Sequence, residues 1–592
     1  MGAFFIYSRS GYVDDIALRL HFERKGFDKP IRREIGEWVL YAYKKQLLKL
    51  SDPYAASGKV ECFGFGSFAY KGLGFRDSLK TLVTDFKNGS LIKERIVGNY
   101  CLIFIENNSR MVLINDNIGA FHFYTTENHG VISSSFSAIL ASCKSSFHIN
   151  RNAVKENIMI GYIIPPATTV KEVFLISEKY KDELKGLRDI EFRRNIRVKD
   201  EFGATSQRTF VDEVAYQIDV LKNHFKGYAG VVSEFGGVDI GLSGGYDSRL
   251  LALLAKKSFE NIIAHTHYHV KVTPDELCAN AIAKYLGIPF FRCPWAKQPE
   301  EMSAEEFERN VEKISLYNDA QVFHDYSWLV SFRTKEYRMA VLGDRKVGMN
   351  GLAGELYRNH DNQLRSKESS VDWLLLRVIT PQIARGMDRR TLKELIEQVL
   401  HEAAIFLGEK IEKEISSHQI RRWFGEVFSI YGAAKRVNID GQLGFSFSPF
   451  LEYVPRRASY GILPHIGLSG EFESAMIKMI DEGASQLSSS YGYSFNGIPP
   501  LKNVIKSVLR GVVPYSLQIK KAYWSSRKCN YSAANRFDQI MSKHKIARLA
   551  LDRVLDMNIG INREAVRNDW LFMCRTISVG LMLSSCEKYI KR

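Results

Sequence analysis

The residues best suited to chemistry lie in Ile240-Gly241-Leu242-Ser243-Gly244-Gly245-Tyr246-Asp247-Ser248-Arg249. An apolar stretch precedes this run and a helix-forming stretch follows it. Small residues in succession let backbone N–H groups turn inward on an anion, and the helix start behind them adds its positive dipole. Ser243 and Ser248 supply hydroxyls, and Asp247 can hold a magnesium ion on bound phosphates. The pattern is S-G-G-x-D-S, and no G-x-x-x-x-G-K-[ST] loop occurs in the chain. A second group, His265, His267 and His269, alternates along a strand. Alternation puts all three on one face, as a metal site or a pocket rim requires.

Composition narrows the classes. The 592 residues are 45% hydrophobic and 25% charged, which excludes a disordered or fibrous chain and calls for more than one domain. Lysine and arginine exceed the acids by 16, spread without a long block. That excess favours anionic partners, but no nucleic-acid recognition motif accompanies it. Eight cysteines include no C-x-x-C pair, which disfavours zinc ribbons and redox dithiols. No secretory leader and no apolar run of membrane-spanning length is legible. The nearest, Trp570 to Ser585, is broken by Arg575. A soluble cytoplasmic protein is expected.

The elements that must position these residues fall into two parts. The first 150 residues read mainly as antiparallel β: Val60–Ala69, Tyr100–Glu106 and Met111–Asn115, the last two joined by a hairpin at Asn107-Asn108-Ser109-Arg110. The spacing of Trp38, Val39, Tyr41 and Leu47 predicts a helix from about Ile31 to Lys49. The charged stretch Arg188–Gly203 reads as a linker. Beyond it, helix Thr209–Phe225, strand Val238–Leu242, helix Asp247–Lys257, strand Ile262–Thr266, helix Pro274–Leu286 and strand Pro289–Cys293 alternate as in a doubly wound parallel sheet. Helical periodicity dominates from Trp373 to Phe406 and from Gln419 to Arg436.

The Ser243–Ser248 loop resembles the pyrophosphate loop of ATP pyrophosphatases, and the chain resembles the asparagine synthetase family over most of its length. Ile263-Ala264-His265-Thr266 looks like that family's second strand, which lines the adenosine pocket. Asp275-Glu276 with Ala279 and Ala283 looks like its D-E-x-x-x-A helix. Val347-Gly348-Met349-Asn350-Gly351-Leu352-Ala353-Gly354-Glu355-Leu356-Tyr357 resembles its second phosphate-side loop. Pro449-Phe450-Leu451-Glu452 resembles its P-F-L-D, and Lys502 to Lys521 resembles its lysine-bearing C-terminal segment. Asn115 to Tyr124 and Ser133 to Leu140 resemble stretches of its amidotransferase domain.

The resemblance implies an α/β chain. Residues 1–190 would form a degenerate, Ntn-hydrolase-like (αββα) glutamine amidotransferase domain, and 205–592 a PP-loop ligase domain with a helical C-terminal part. It implies ATP and Mg2+, bound by Leu242, Ser243, Gly244, Gly245, Asp247, Ser248, His265 and Gly351, with Asp247 and Glu355 on the metal. The lysine steadying phosphate and oxyanion would be Lys521, with Lys520 as rival, and Tyr357 with Glu452 would form a pair deprotonating the amine, as a Tyr–Glu pair does in β-lactam synthetases. Asp275 and Glu276 serve equally as first-turn acids and receive no catalytic role.

Two departures matter. Glutamine-hydrolysing members place a cysteine after Met1; here Gly2 stands there, so no glutaminase activity is expected. In the family's E-x-R-x-P-F-L-D, Glu and Arg are replaced by Phe445 and Phe447, which suggests a different acyl pocket or an inactive site. The expectation is an ATP-dependent ligase joining a carboxylate to an amine of a small molecule or peptide, as in β-lactam synthetases and lasso-peptide cyclases. Alternatives are an asparagine synthetase using free ammonia and a non-catalytic nucleotide-binding scaffold. Family members are often dimers, so a homodimer is expected, with no nucleic acid and no membrane span.

Overall fold

The computed structural model describes residues 2–10, 13–47, 54–177, 180, 189–192, 208–268, 272–294, 297–322, 347–360, 368–496, 499–525, 531–587 and 589–591. The chain is mixed α/β, with several sheets, one of them parallel.

Long apolar strands Val60–Tyr70 and Ile96–Glu106 pair antiparallel, and Ile96–Glu106 turns back into Arg110–Asn115. Asn107 and Asn108 both adopt positive φ there, a conformation asparagine tolerates and a twisted hairpin favours. These strands, with Tyr54–Ser57 and Ile190–Phe192 at the edges, form a five-stranded sheet. A six-stranded antiparallel sheet runs in the order 173–175, 124–126, 131–133, 3–8, 38–43, 31–35. Phe4, Ile6, Leu40 and Ala42 of one sheet pack with Phe63, Phe65, Cys101 and Ile103 of the other, which sets the sheets face to face. Helix Phe75–Lys87 covers the outer face of the five-stranded sheet, with Phe86 stacked on Phe104 at 3.9 Å between centroids. Helices Asp15–Arg24 and Phe136–Ser142 cover the outer face of the six-stranded one.

The expected helix over Ile31–Lys49 is instead a hairpin, Ile31–Ile35 paired with Trp38–Tyr43. All six residues of Trp38–Tyr43 are buried, so no polar–apolar alternation marked the strand. The turn is made by Gly36 at φ +54. The stretch read as a linker also differs: Ile190–Phe192 pairs parallel with Met111–Leu113 as part of the first half. The rest of that stretch, 193–203, lies outside the described residues.

The second half holds five parallel strands in the order Phe290–Pro294, Ile262–Tyr268, Val238–Gly241, Val347–Met349, Ser446–Phe447. The first of these in sequence, Val238–Gly241, sits at the centre. The chain builds outward on one side and then on the other, so a crevice opens at the carboxyl ends of Val238–Gly241 and Val347–Met349, where ligands bind in open α/β sheets. Helices Phe210–Lys226, Tyr246–Ser258 and Pro274–Leu286 form as expected, the first and last capped by Thr209 and Thr273.

The stretch from Trp373 to Phe406 is three helices, Ser370–Arg377, Pro381–Arg385 and Arg389–Leu407, and Trp423–Ala433 is a π-helical segment between two α-helices. Trp570–Ser585 is a buried core helix, and its Arg575 guanidinium donates to the carbonyl of Met159 at 2.9 Å. That bond gives the one charged side chain of this apolar helix a buried acceptor and ties the helix to the first half. Among the described residues, no helix is long and apolar enough to cross a membrane.

Candidate functional site

The loop after Val238–Gly241 closes on itself through its serines. Ser248 Oγ accepts from the Ser243 backbone N–H at 3.0 Å, lies 2.8 Å from Ser243 Oγ, and donates to the Ser243 carbonyl at 3.1 Å. The Gly245 N–H donates to Ser243 Oγ at 3.3 Å. Gly245 is the extended residue before helix Tyr246–Ser258, so the helix start faces the loop. The Gly244 N–H donates to Asp275 Oδ1 at 2.9 Å, so a carboxylate already sits on one of the inward-facing donors. Any Cβ at Gly244 would meet Cys278 Cβ at 2.8 Å and Ser490 at 3.0 Å, so glycine is required by close approach.

The second loop, expected at Gly351, lies directly against the first. A Cβ on Gly351 would come within 3.0 Å of Asp247 Cβ, and one on Gly354 would overlap Asp247 Oδ1. Asn350 links this loop to the fifth strand by accepting from Ser448 Oγ at 2.9 Å. Loops separated by about a hundred residues thus converge on Asp247 because their strands are hydrogen-bonded neighbours.

Around Asp247 the charges are unbalanced. Arg358 donates to both Asp247 oxygens, at 2.6 and 3.0 Å, and to Glu473 Oε2 at 2.9 Å, and lies 3.6 Å from Glu355 Oε1. Three carboxylates therefore share one guanidinium. Burial, reinforced by Asp247, raises the Glu473 pKa well above the usual carboxylate range and that of Glu355 above its ordinary value. Burial works against the Arg358 charge, yet Asp247, Glu473 and Glu355 together hold its pKa well above normal. Magnesium is commonly bound through one or two carboxylates with phosphate oxygens completing its shell, and Asp247 with Glu355 supplies that donor set. Among the described residues, no group of three or more His, Cys, Asp or Glu is arranged to hold a metal without such help.

His265 is buried beside the central strand, its Nδ1 2.8 Å from Asp239 Oδ1, and its ring stacks on Phe291. His267 lies edge-on to it at 5.5 Å, and His269 falls outside the described residues. Tyr357 and Glu452 are not brought together. The buried Tyr357 hydroxyl donates to the Pro455 carbonyl at 3.4 Å, and burial raises its pKa. Glu452 turns the other way, accepting from the Gly98 N–H at 2.5 Å and lying 2.9 Å from His224 Nε2, on a small cavity also lined by Tyr100 and Asp116. It fastens the two halves of the chain. Lys520 and Lys521 are exposed on helix Tyr515–Ser525, which rests on helices Ser370–Arg377 and Pro381–Arg385.

Phe445 and Phe447 are packed in the core. Both are buried, Phe445 against Phe75 and Phe235 and Phe447 against Tyr228. Gly2 is buried as well. A Cβ there would meet Phe27 Cε1 at 2.8 Å, the Lys44 carbonyl at 2.9 Å and the Gln442 carbonyl at 3.1 Å. The space a nucleophilic side chain would occupy is filled.

Sequence reasoning missed Arg358, Glu473 and the loop contact of Asp275. Arg358 directly follows the quoted Gly354-Glu355-Leu356-Tyr357, so reading one residue further would have found it. Nothing local marks Glu473, which lies 115 residues beyond Arg358. No protein-family model matches the chain, and no curated protein matches it.

Proposed function

We propose that this chain is an ATP-dependent, amide-forming ligase of the asparagine synthetase type, which adenylates a carboxylate and passes the acyl group to an amine without hydrolysing glutamine. The observation that carries this reading is the convergence of the Ser243–Ser248 loop and the Gly351–Gly354 loop on Asp247, at the switch point of a parallel sheet. Under this reading residues 1–190 are an Ntn-like αββα domain and 205–592 a PP-loop domain. The filled space at Gly2 supports a reaction that needs no glutamine.

In the proposed reaction a substrate carboxylate oxygen attacks the α-phosphorus of ATP. The bond to the bridging oxygen breaks, and pyrophosphate leaves carrying that electron pair. An amine then attacks the acyl carbon, loses a proton and expels AMP. The Gly244 N–H is the loop donor proposed for the leaving pyrophosphate, once Asp275 yields it, with the Ser243 and Ser248 hydroxyls beside it; the Ser243 and Gly245 N–H groups are held within the loop itself. Once Arg358 releases the Asp247 oxygens, Asp247 and Glu355 would hold magnesium, which supplies charge neutralisation on the phosphates. Arg358 is the cation nearest those acids, and Lys521 is the proposed lysine of the C-terminal segment. His265 would border the adenosine.

The test is ATP–pyrophosphate exchange with Mg-ATP and a panel of amino acids and extracts, with Asp247→Ala as control. Exchange that needs a particular carboxylate and is lost in the control supports adenylation. Nucleotide binding without exchange favours a second reading, a non-catalytic nucleotide-binding scaffold. One specific observation favours that reading: Asp247 and the Gly244 N–H already carry partners from the chain itself, Arg358 and Asp275.

A further inference from the structure

Helix Leu501–Val512 is the most exposed apolar feature described, and it buries no residue. Leu501, Val504, Ile505, Val508, Leu509 and Val512 fall on one face at helical spacing. Leu501 is 74% exposed and Val512 69%. Lys502, Lys506 and Arg510, each four residues apart, form the stripe that borders this face. Pro514 separates it from helix Tyr515–Ser525, whose Gln518 Nε2 donates to the Arg510 and Val513 carbonyls at 3.1 and 2.8 Å. That second helix is anchored in the body through buried Tyr515 and Ile519, while Leu517 and Trp524 project, Trp524 at 77% exposure.

The charge of this region is one-sided. Residues 501–528 carry seven lysines and arginines and no aspartate or glutamate. An amphipathic helix with an aliphatic face, flanking cations and a nearby exposed tryptophan is the composition of interfacial helices that lie in a bilayer surface. A twelve-residue helix with nothing buried is marginal alone, so an apolar surface that covers it would also stabilise it. We propose that Leu501–Val512 docks this protein on an anionic lipid bilayer, its aliphatic face entering the interface and its cations meeting the headgroups. A second copy fits less well, because it would bring the same positive segment against its like. Nucleic acid would answer the cations but leave the aliphatic face bare. The inference stands independently of the adenylation reading, and Lys521 is left unaltered in its test.

The experiment is flotation of the full chain with vesicles of equal parts phosphatidylglycerol and phosphatidylcholine, against vesicles of phosphatidylcholine alone. Two variants accompany it: Leu501→Ser/Ile505→Ser/Leu509→Ser and Lys502→Glu/Lys506→Glu/Arg510→Glu. Because none of these side chains is buried, thermal melting should match the parent. The parent should float with the anionic vesicles and not the neutral ones. The charge-reversed variant should bind about a hundredfold more weakly, since each basic residue near an anionic surface contributes roughly fivefold. The serine variant should also lose binding. Absence of flotation with anionic vesicles, or flotation untouched by both variants, overturns the proposal. So does a dimer seen by sedimentation velocity and dissolved by the serine substitutions without vesicle binding, which assigns the face to a second copy. Oligonucleotide binding lost only on charge reversal, again without flotation, assigns it to nucleic acid.

Discussion

At the carboxyl end of the parallel sheet, Asp247, Glu355 and Glu473 gather around Arg358. At the corner around Gly2, by contrast, Phe27 and two backbone carbonyls fill the space, and a buried lysine lies close by. Lys45 donates to the Gly441 and Gly444 carbonyls and lies over the Phe445 ring at 4.7 Å. Both regions lie where the resemblance places catalytic chemistry. Only the first gathers several carboxylates where two loops meet, with Arg358 and Asp275 as their partners. The second has been packed as core. The first region holds like charges close together, whereas the second fills its space with ring and backbone atoms.

The comparison breaks first at Asp247. Asp247→Ala should lower ATP–pyrophosphate exchange by about 10²–10³-fold, the usual cost of one electrostatic group at a reacting phosphate or oxyanion. Unchanged exchange would remove the crevice from the chemistry. Gly354→Ala pushes a methyl into Asp247 Oδ1, so exchange should fall by roughly 10²-fold, as for a misplacement of about an ångström. Its urea midpoint should move little if the effect is local.

For the other region, Gly2→Cys should restore no glutamine hydrolysis and should cost about 1–3 kcal/mol by overpacking, read from chemical denaturation. Glutaminase activity in that variant would show the corner to be poised for catalysis after all.

The two regions should also answer pH with opposite signs. Burial lowers the Lys45 pKa to about 7. The unfolded chain then holds that proton more tightly between about 7 and the ordinary lysine value, so the stability contribution rises with pH across that window. Glu473, raised by burial, is the reverse case. The folded chain holds its proton more tightly, so stability falls as pH rises from the ordinary carboxylate range toward the raised value. Denaturation curves of Lys45→Met and Glu473→Gln across pH 4–10 should flatten these two slopes separately. Slopes of the same sign would dissolve the contrast.

Much of the crevice was legible before any coordinates. The Ser243–Ser248 loop is local: strand, turn, serines and helix start all lie within about a dozen residues, so short-range sterics and hydrogen bonding nearly determine it. The hairpin at Asn107-Asn108 was readable for the same reason. The strand Trp38–Tyr43 was not, because burial on both faces erased its alternation. Tyr357 and Glu452 were paired on motif order alone. In the fold, one bonds the Pro455 carbonyl and the other reaches 354 residues back to Gly98.

From the sequence alone come the Ser243–Ser248 turn between strand and helix, the strand–helix alternation, the glycine at position 2 and the charge bias of 501–528. Each depends on backbone preference, periodicity or composition. Tertiary structure alone decided that Arg358 and Glu473 attend Asp247, that Asp275 caps Gly244, that Phe445 and Phe447 are core, and that Leu501–Val512 is left bare. Those outcomes hang on which surfaces meet after the strands are ordered. Burial and Coulombic interaction act between residues the chain brings together only when it closes.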